Sequence, residues 1–145
     1  NINVKVSLLA YYDEFEKCKV MLPDISIKCE AILDFQNSYC ANTAYIISNM
    51  QPSDLGILNS RLILFFYANL TQTIRGGYFR FIRQYLEQIP IIKTNSLDKI
   101  VQEIIKIKSN NPTADTTSLE TEIDRLVYEL YGLSEEEIGI VEEEK

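Results

Sequence analysis

Hydrophobic periodicity changes from helical to extended along the front of the chain. In residues 7–17, apolar side chains recur at spacings of three and four, which is typical of one face of a short helix. Residues 19–26, 27–35 and 39–48 are short apolar segments separated by turn-forming residues, so they predict three strands. Pro23 suits a strand end or edge, because proline cannot donate a hydrogen bond to a neighbouring strand. This part of the chain predicts a small antiparallel meander preceded by a helix.

The centre of the chain holds its longest apolar run. Residues 54–69 are apolar on nearly every helical face, which predicts one helix buried on several sides. Ser53 or Asp54 is placed to accept hydrogen bonds from the first free amides of that helix. With Asn59 and Arg61 inside it, the run is too short and too polar to span a bilayer. It predicts a core helix, and no contact with a membrane is expected.

A glycine pair separates this helix from a short alternating segment. Gly76 and Gly77 permit backbone angles that other residues rarely adopt. The alternation that follows predicts a strand with Phe79 and Phe81 directed inward and Arg80 directed outward. The two features together predict an exposed turn that leads into a half-buried strand.

The remaining chain predicts helices. A helical turn is expected over residues 82–89, and residues 90–93 are a candidate strand for the same sheet. Residues 95–108 have the apolar spacing of an amphipathic helix, with Asn95 or Ser96 as its cap. A solvated loop precedes two further helices, one ending at Gly132 and one over residues 135–143, whose starts are marked by capping boxes: Thr117 with Glu120, and Ser134 with Glu137.

The net charge of −7 argues against nucleic acid at first sight, because DNA-binding proteins carry basic patches. The charge is unevenly distributed, however. Residues 1–93 hold 9 Lys and Arg against 8 Asp and Glu, a net charge of +1. Residues 94–145 hold 5 against 13, a net charge of −8. The front of the chain is therefore nearly neutral and contains a local arginine cluster, which is compatible with DNA but supports it only weakly.

Residues that carry catalysis or bind metals are scarce. The chain has no histidine, and its three cysteines recur every eleven residues with no CxxC pair: Cys18, Cys29 and Cys40. Free, mostly buried cysteines are therefore expected in place of a zinc site, and their odd number suits a reducing cytoplasm. Asp24, Glu30 and Asp34 do not share one strand face, so a metal cluster is not expected there either. No set of residues suggests an enzyme within this chain.

Five segments resemble the C-terminal specificity domain of TaqI-like adenine-specific DNA methyltransferases and follow one another in the order expected for that family. The strongest are LGILNSRLI, residues 55–63, and RGGYFRFIRQYLEQIPI, residues 75–91. The upstream segments KVMLPDIS and NTAYII are similar to the strands that precede the LGILNS helix in the family. The last segment, IDRLVYELYGLSEEEIGIVEE, is similar to its closing helices. The second proline often found after Pro90 in the family is missing here.

The resemblance implies a fold and a division of the chain. The expected class is α+β, with a small antiparallel or mixed sheet packed on a buried helix and amphipathic helices after it. Residues 1–93 would form the target-recognition core, and residues 94–145 an acidic helical extension that packs on the core or on the rest of the enzyme. Since the sequence begins at Asn1 without an initiator Met, it is expected to be a piece of a longer protein.

The resemblance also implies partners. A catalytic domain of the same polypeptide would bind S-adenosylmethionine and flip the adenine into an Asn-Pro-Pro-Tyr loop. Neither that loop, nor a glycine-rich cofactor loop, nor a nuclease motif occurs in this chain, so no cofactor or metal is expected within it. The expected partners are double-stranded DNA and that catalytic domain. The parent protein would be a cytoplasmic adenine methyltransferase, alone or fused to an endonuclease.

The predicted DNA-contacting residues surround the glycine pair and lie at strand ends. A guanidinium can donate to a guanine or to a phosphate, glycines allow the backbone to approach a phosphate, and a tyrosine ring can stack on a sugar. Lysine and asparagine in turns lie where recognition loops commonly occur. The predicted set is Arg75, Gly76, Gly77, Tyr78, Arg80, Arg83, Lys28 and Asn37.

Each of these predictions has a structural alternative. Arg80 could pair with the acidic C-terminal helices, Tyr78 could pack at the edge of the core, and Lys28 and Asn37 could be ordinary solvated residues. For the chain as a whole, the rival is a helical protein-interaction module without DNA contact. The net charge of −8 in residues 94–145 favours that rival.

Overall fold

A computed structural model describes residues 4–5, 16–36, 38 and 44–143. Residues 7–15 of the predicted first helix, Asn37 and Cys40 lie outside these ranges. The described strands are β1 (Val4–Lys5), β2 (Lys19–Pro23), β3 (Ile25–Ser26), β4 (Ile32–Asp34), β5 (Ala44–Ser48) and β6 (Phe79–Arg80). The described helices are α1 (Pro52–Leu58), α2 (Arg61–Leu70), α3 (Arg83–Leu86), α4 (Asp98–Asn110), α5 (Thr117–Tyr131) and α6 (Glu135–Glu143). The predicted α+β class is confirmed.

The larger sheet in the described part of the chain is antiparallel, with the strand order β1-β5-β2-β4. The predicted meander is wrong in this respect, because β2 lies between β4 and β5 instead of at one side. All five residues of β2 pair with β5, from Lys19 opposite Ser48 to Pro23 opposite Ala44. This long register buries Val20, Leu22 and Ile47 together on the face that meets the helices. The full-length pairing of two apolar strands therefore determines the strand order.

Strands β3 and β6 form a separate two-stranded ribbon. Ile25 lies opposite Arg80 and Ser26 opposite Phe79, and the Phe81 amide donates to the Asp24 carbonyl at 2.7 Å. Phe79 and Phe81 are buried and Arg80 is exposed, so the predicted alternation is confirmed. We call residues 24–27 with 74–81 the ribbon.

The predicted single helix over residues 54–69 is wrong, because the chain breaks it into α1 and α2 at Asn59 and Ser60. The Asn59 side chain accepts from the Ala31 amide at 2.9 Å and donates to the Ala31 carbonyl at 2.8 Å. The Ser60 hydroxyl accepts from the Ile63 amide at 3.4 Å and so caps α2. The LGILNS segment thus ends α1, forms hydrogen bonds through Asn59 to the residue before β4, and begins α2.

One hydrophobic core joins the sheet, the ribbon and the helices. Tyr67 of α2 packs against Phe79 and Phe81 of the ribbon, and Leu97, Val101, Ile123 and Val127 of the later segment belong to the same core. Helices α1 and α4 approach closely at Gly56, where an added Cβ would lie 2.8 Å from Val101 Cγ2. The residues after position 93 therefore share the core of the residues before it.

Residues 90–93 do not form a strand, so their predicted pairing with the sheet is wrong. The Tyr131 hydroxyl donates to the Pro90 carbonyl and accepts from the Ile92 amide at 3.3 Å. The segment is thus held on α5 by a side chain that satisfies its backbone groups, and a sheet partner is not required.

The structure confirms some of the predicted helix ends, and the residues that form these lie close together in the sequence. The Ser134–Glu137 capping box is confirmed, with the Ser134 amide 2.8 Å from Glu137 Oε2. Gly132 ends α5 in the left-handed conformation, as predicted. Neither Asn95 nor Ser96 caps α4, because the Leu97 amide donates to the distant Ser53 hydroxyl at 3.1 Å. Likewise the residue before α5 is Thr116, which donates to Glu120 Oε1 at 2.6 Å, and Thr117 already lies within the helix.

Candidate functional site

The tip of the ribbon is a tight turn that exposes Arg75. The Ile74 amide donates to the Tyr78 carbonyl at 2.7 Å, and the Gly77 amide donates to the Ile74 carbonyl at 3.1 Å. Gly76 and Gly77 have φ angles of 90° and 79°, which side chains with a Cβ rarely adopt. Within the described residues, Arg75 has no ion-pair partner. The turn therefore presents a guanidinium that no neighbouring carboxylate neutralises.

Tyr67 anchors the strand that carries Arg80. Its hydroxyl donates to the Arg80 carbonyl at 2.8 Å and accepts from the Ile82 amide at 3.3 Å, while its ring stacks on Phe81 at a centroid distance of 4.7 Å. Burial raises the pKa of Tyr67 to about 12, so the phenol stays neutral and remains a donor. The backbone from the Arg80 carbonyl to the Ile82 amide is thus tied to the core.

The Arg80 side chain is 62% exposed, and its Nε atom lies 3.6 Å from Asp24 Oδ1 across the ribbon. The alternative that Arg80 pairs with the acidic C-terminal helices is therefore wrong. Asp24 Oδ1 is itself buried and has no hydrogen-bond partner. Burial and the nearby Asp24 charge raise the pKa of Tyr45, whereas Arg80 acts to lower it, which places both charges near that ring.

Arg83 differs from the other two arginines. It begins α3, and its Nε atom donates to Glu87 Oε1 at 2.7 Å one helical turn later. The three arginines of the predicted cluster are therefore in three states. Arg75 has no carboxylate partner among the described residues, Arg80 is loosely paired across the ribbon, and Arg83 is closely paired on its own helix.

The remaining predicted residues are distributed over the surface. Tyr78 is 40% exposed and is not packed with Phe79 and Phe81, since the turn folds its ring over Gly76, where an added Cβ would lie 3.3 Å from it. Lys28 is exposed beyond the end of β3, at the mouth of a cavity between the helices. Asn37 lies outside the described residues. The ribbon thus brings together Arg75, Gly76, Gly77, Tyr78 and Arg80, and Lys28 is placed on the border of a cavity.

Residues 2–91 match the family model described as the TaqI-like C-terminal specificity domain. The chain belongs to this family. All eight predicted site residues fall within the matched range. A similar protein is the "Type II methyltransferase M.XhoI" of Xanthomonas vasicola, which is 28% identical over 127 residues. The alignment covers 85% of this chain but only 22% of that methyltransferase, so the chain spans about a fifth of its length.

Acidic residues of α5 and α6 lie at the opposite end of α2 from the ribbon. At the N-terminal end of α2, the Arg61 amide donates to Asp124 Oδ1 at 2.8 Å, and the Arg61 guanidinium pairs with Glu142 of α6. Glu142 also accepts from the Tyr128 hydroxyl at 2.7 Å. At 1.5 Å per residue, Arg61 and Tyr67 are separated by roughly 9 Å along the helix axis. A short rigid helix therefore separates the acidic residues from the exposed arginines.

A cavity of about 480 Å³ lies between α1, α2, α4 and α5 of the specificity domain. Aliphatic side chains and a larger number of polar or charged ones line it. Three of the polar groups are engaged within the protein: Asn59 with Ala31, Ser60 with the Ile57 carbonyl, and Asp124 with the Arg61 amide. Burial raises the pKa of the Cys29 thiol, which lines this cavity, to about 12 and so disfavours the thiolate form.

Two of the three cysteines, and the carboxylates named with them as candidate metal ligands, lie in the described residues. Cys29 is buried as expected, but Cys18 is exposed. Asp34 forms an ion pair with the buried Lys19 and accepts hydrogen bonds from the amides of Gln36 and Ser38. Burial alone would raise the Asp34 pKa, but these interactions outweigh it and lower the pKa to about 2. No group of three or more described His, Cys, Asp or Glu side chains could hold a metal ion. No described helix is long and apolar enough to cross a membrane.

Sequence reasoning missed Asp24 and Tyr67, the two residues that hold Arg80. Tyr67 had a usable signal, since a phenol within an aliphatic core helix requires a hydrogen-bond partner. Asp24 had none, because its partner is 56 positions away and is reached only through the β3–β6 pairing.

Proposed function

We propose that this specificity domain recognises the DNA target of a restriction–modification enzyme. The observation that carries the proposal is the family membership over residues 2–91. The similarity to a type II methyltransferase supports a parent enzyme that methylates DNA. N6 of adenine would be methylated by a catalytic domain outside these residues, which would also bind S-adenosylmethionine. The parent would be either a methyltransferase alone or one fused to an endonuclease.

The ribbon is the surface that we assign to DNA. Two antiparallel strands fit the width of a major groove, so a ribbon can bring side chains to base edges. Arg75 at its tip and Arg80 on its exposed face supply positive charge, and Tyr78 adds an exposed ring beside the glycine turn. The glycines remove the Cβ atoms that would hold a phosphate away from the backbone. These features support contact with both the backbone and the bases of the duplex.

The charge distribution supports the same orientation. Phosphates repel carboxylates, so α5 and α6 would lie on the side away from DNA. They lie at the end of α2 opposite to the ribbon, where Arg61 is neutralised by Glu142. The catalytic domain would then form the second wall of the cleft and supply most of its positive potential.

Arg75 and Arg125 provide a matched test of this proposal in the parent enzyme. Arg75→Ala removes a guanidinium from the ribbon, whereas Arg125→Ala removes one from α5, where Glu122 and Glu129 already neutralise it. We expect Arg75→Ala to weaken binding to all duplexes and to reduce the salt slope by about 0.9, the value for one phosphate contact. Arg125→Ala is expected to leave both quantities unchanged. Affinity is measured over a series of salt concentrations.

A map of modified adenines in a methylation-free host identifies the reaction. Expression of the parent should methylate one short motif. If the parent neither methylates adenine nor binds DNA in a salt-dependent manner, the proposal is wrong. The helical interaction module, supported by the acidic surface of α5 and α6 and by the exposed Ile140, would then be the better account.

A further inference from the structure

We propose that Arg80 recognises a guanine in the target and that Asp24 is its positioning residue. This inference rests on the DNA-recognition role proposed above. It goes beyond that role because it assigns different tasks to the arginines of the predicted cluster. The assignment depends on how firmly each guanidinium is held and on which of its donors remain available.

Guanine recognition requires a guanidinium whose direction is defined. Arginine donates two parallel hydrogen bonds to N7 and O6 of guanine in the major groove, and this geometry tolerates little displacement. A phosphate, in contrast, accepts hydrogen bonds from many directions and carries no sequence information. A base-contacting arginine should therefore be anchored in the free protein, whereas a phosphate-contacting arginine need not be.

Arg80 is anchored at its backbone, and Asp24 directs its side chain through a loose ion pair. Tyr67 accepts from the Ile82 amide at 3.3 Å and donates to the Arg80 carbonyl at 2.8 Å, which fixes the strand against the core. Asp24 Oδ1 lies 3.6 Å from Nε, the inner donor of the guanidinium. Asp24 is itself fixed to this strand, because its carbonyl accepts from the Phe81 amide at 2.7 Å. The backbone of Asp24 is therefore held beside the strand that carries Arg80.

The outer edge of Arg80 remains available for a base. Neither Nη1 nor Nη2 makes a hydrogen bond to another described residue, and the side chain is 62% exposed. Since Asp24 approaches from the Nε side, the two Nη atoms are left to donate together. Ile25, which is 49% exposed, lies directly opposite Arg80 in the ribbon.

The Asp24 carboxylate indicates that its ion pair with Arg80 is not fully formed in the free protein. Its Oδ1 atom is buried and has no hydrogen-bond partner, which is unusual for a carboxylate oxygen. A shift of Nε from 3.6 Å to the usual distance of about 2.9 Å would satisfy this oxygen. DNA that excludes water from the ribbon would strengthen this charge pair and so favour the shift.

The other two arginines do not meet these requirements. Arg75 lies on the glycine turn without a described carboxylate to direct it, so we assign it to a phosphate. Arg83 begins α3 beyond the end of the ribbon, and its Nε atom already donates to Glu87 Oε1 at 2.7 Å. Only Arg80 combines a fixed backbone, a carboxylate on one side and unused donors on the other.

The test measures binding of the parent enzyme to its preferred site and to variants in which each G·C pair is replaced singly. Arg80→Lys keeps the charge but removes the bidentate donor. We expect it to lower discrimination at one G·C position by about tenfold to a hundredfold, with the other positions unchanged. Asp24→Asn should lower discrimination at the same position by a smaller factor. Circular dichroism at increasing temperature verifies that each variant is folded.

The double variant separates positioning from a structural role. If Asp24 acts only through Arg80, then adding Asp24→Asn to Arg80→Lys should cause no further loss at that position. A further loss, or a loss spread over every position, would show that Asp24 does not position Arg80. Unchanged discrimination in Arg80→Lys, or a uniform loss at all sites, would exclude Arg80 as the guanine contact. If the unaltered parent shows no preferred site at all, the proposed function itself fails, and this inference fails with it.

Discussion

Arginines lie near both ends of α2, but their electrostatic surroundings differ. At the N-terminal end, Arg61 pairs with Glu142, and Arg125 of the neighbouring α5 pairs with both Glu122 and Glu129. At the C-terminal end, Arg75 has no carboxylate partner among the described residues and Arg80 has one at 3.6 Å. The arginines near the acidic helices are therefore saturated within the protein, whereas those of the ribbon retain capacity for an external anion.

This difference shows that a chain with a net charge of −7 can expose two arginines at a place removed from its acidic helices. Net charge describes the whole chain, but a ligand responds to the charges within about 10 Å of it at ordinary salt concentrations. Helix α2 keeps the two regions apart, and the ribbon is tied to its C-terminal end through Tyr67. The location of acidic residues is thus more informative about function than their number.

The buried pair between Lys19 and Asp34 provides a reference for a charge pair with a purely structural role. Lys19 is fully buried, so Asp34→Asn removes the carboxylate beside an ammonium that water cannot reach. We expect the free energy of unfolding to fall by roughly 3–5 kcal/mol, measured by urea denaturation. This is the largest effect expected for any of the substitutions considered.

The same pair predicts a dependence on pH. The Asp34 pKa is about 2 in the folded protein and near its ordinary value of 3.8 when unfolded, so the unfolded state binds more protons between these values. The stabilisation is therefore complete above about pH 4 and is lost as the pH falls toward 2. Asp34→Asn should show a flatter acid limb than the unaltered protein. An identical acid limb in both would contradict the assignment.

Tyr67→Phe tests how far the hydrogen bonds between α2 and the ribbon contribute to stability and recognition. It keeps the ring in the core but removes the hydroxyl that bonds the Arg80 carbonyl and the Ile82 amide. We expect a loss of about 1–3 kcal/mol in the free energy of unfolding, because two backbone groups lose a partner. Recognition of the preferred site by the parent should weaken by more than the binding of random DNA. Equal weakening of both would mean that the anchor does not serve specificity.

Asp124→Ala makes the corresponding change at the acidic end. Asp124 accepts from the Arg61 amide at 2.8 Å and so satisfies one of the free donors at the start of α2. We expect a loss of about 1 kcal/mol in the free energy of unfolding, as for other helix caps. DNA affinity and site preference of the parent should not change. A change in site preference would break the comparison, since it would connect the acidic end to the surface that we propose for DNA.

Several features that depend on neighbouring residues were predictable. The glycine turn, the alternation of Phe79, Arg80 and Phe81, and the Ser134–Glu137 cap each depend on a few adjacent positions. The features that depend on distant residues were not. The break at Asn59 serves a hydrogen bond to Ala31, and the start of α4 is capped by Ser53, 44 positions earlier. A local pattern contains no information about such partners.

The sequence by itself determined the α+β class, the inward and outward faces of the ribbon, and membership of the specificity-domain family through its LGILNS and RGGYFRF segments. Only the tertiary structure decided the strand order, the division of the central helix, and the different states of the three arginines. The physical reason is that periodicity and turn residues act over a few positions. Ion pairs, caps and strand pairings instead depend on which distant segments the core brings within about 3–4 Å of each other.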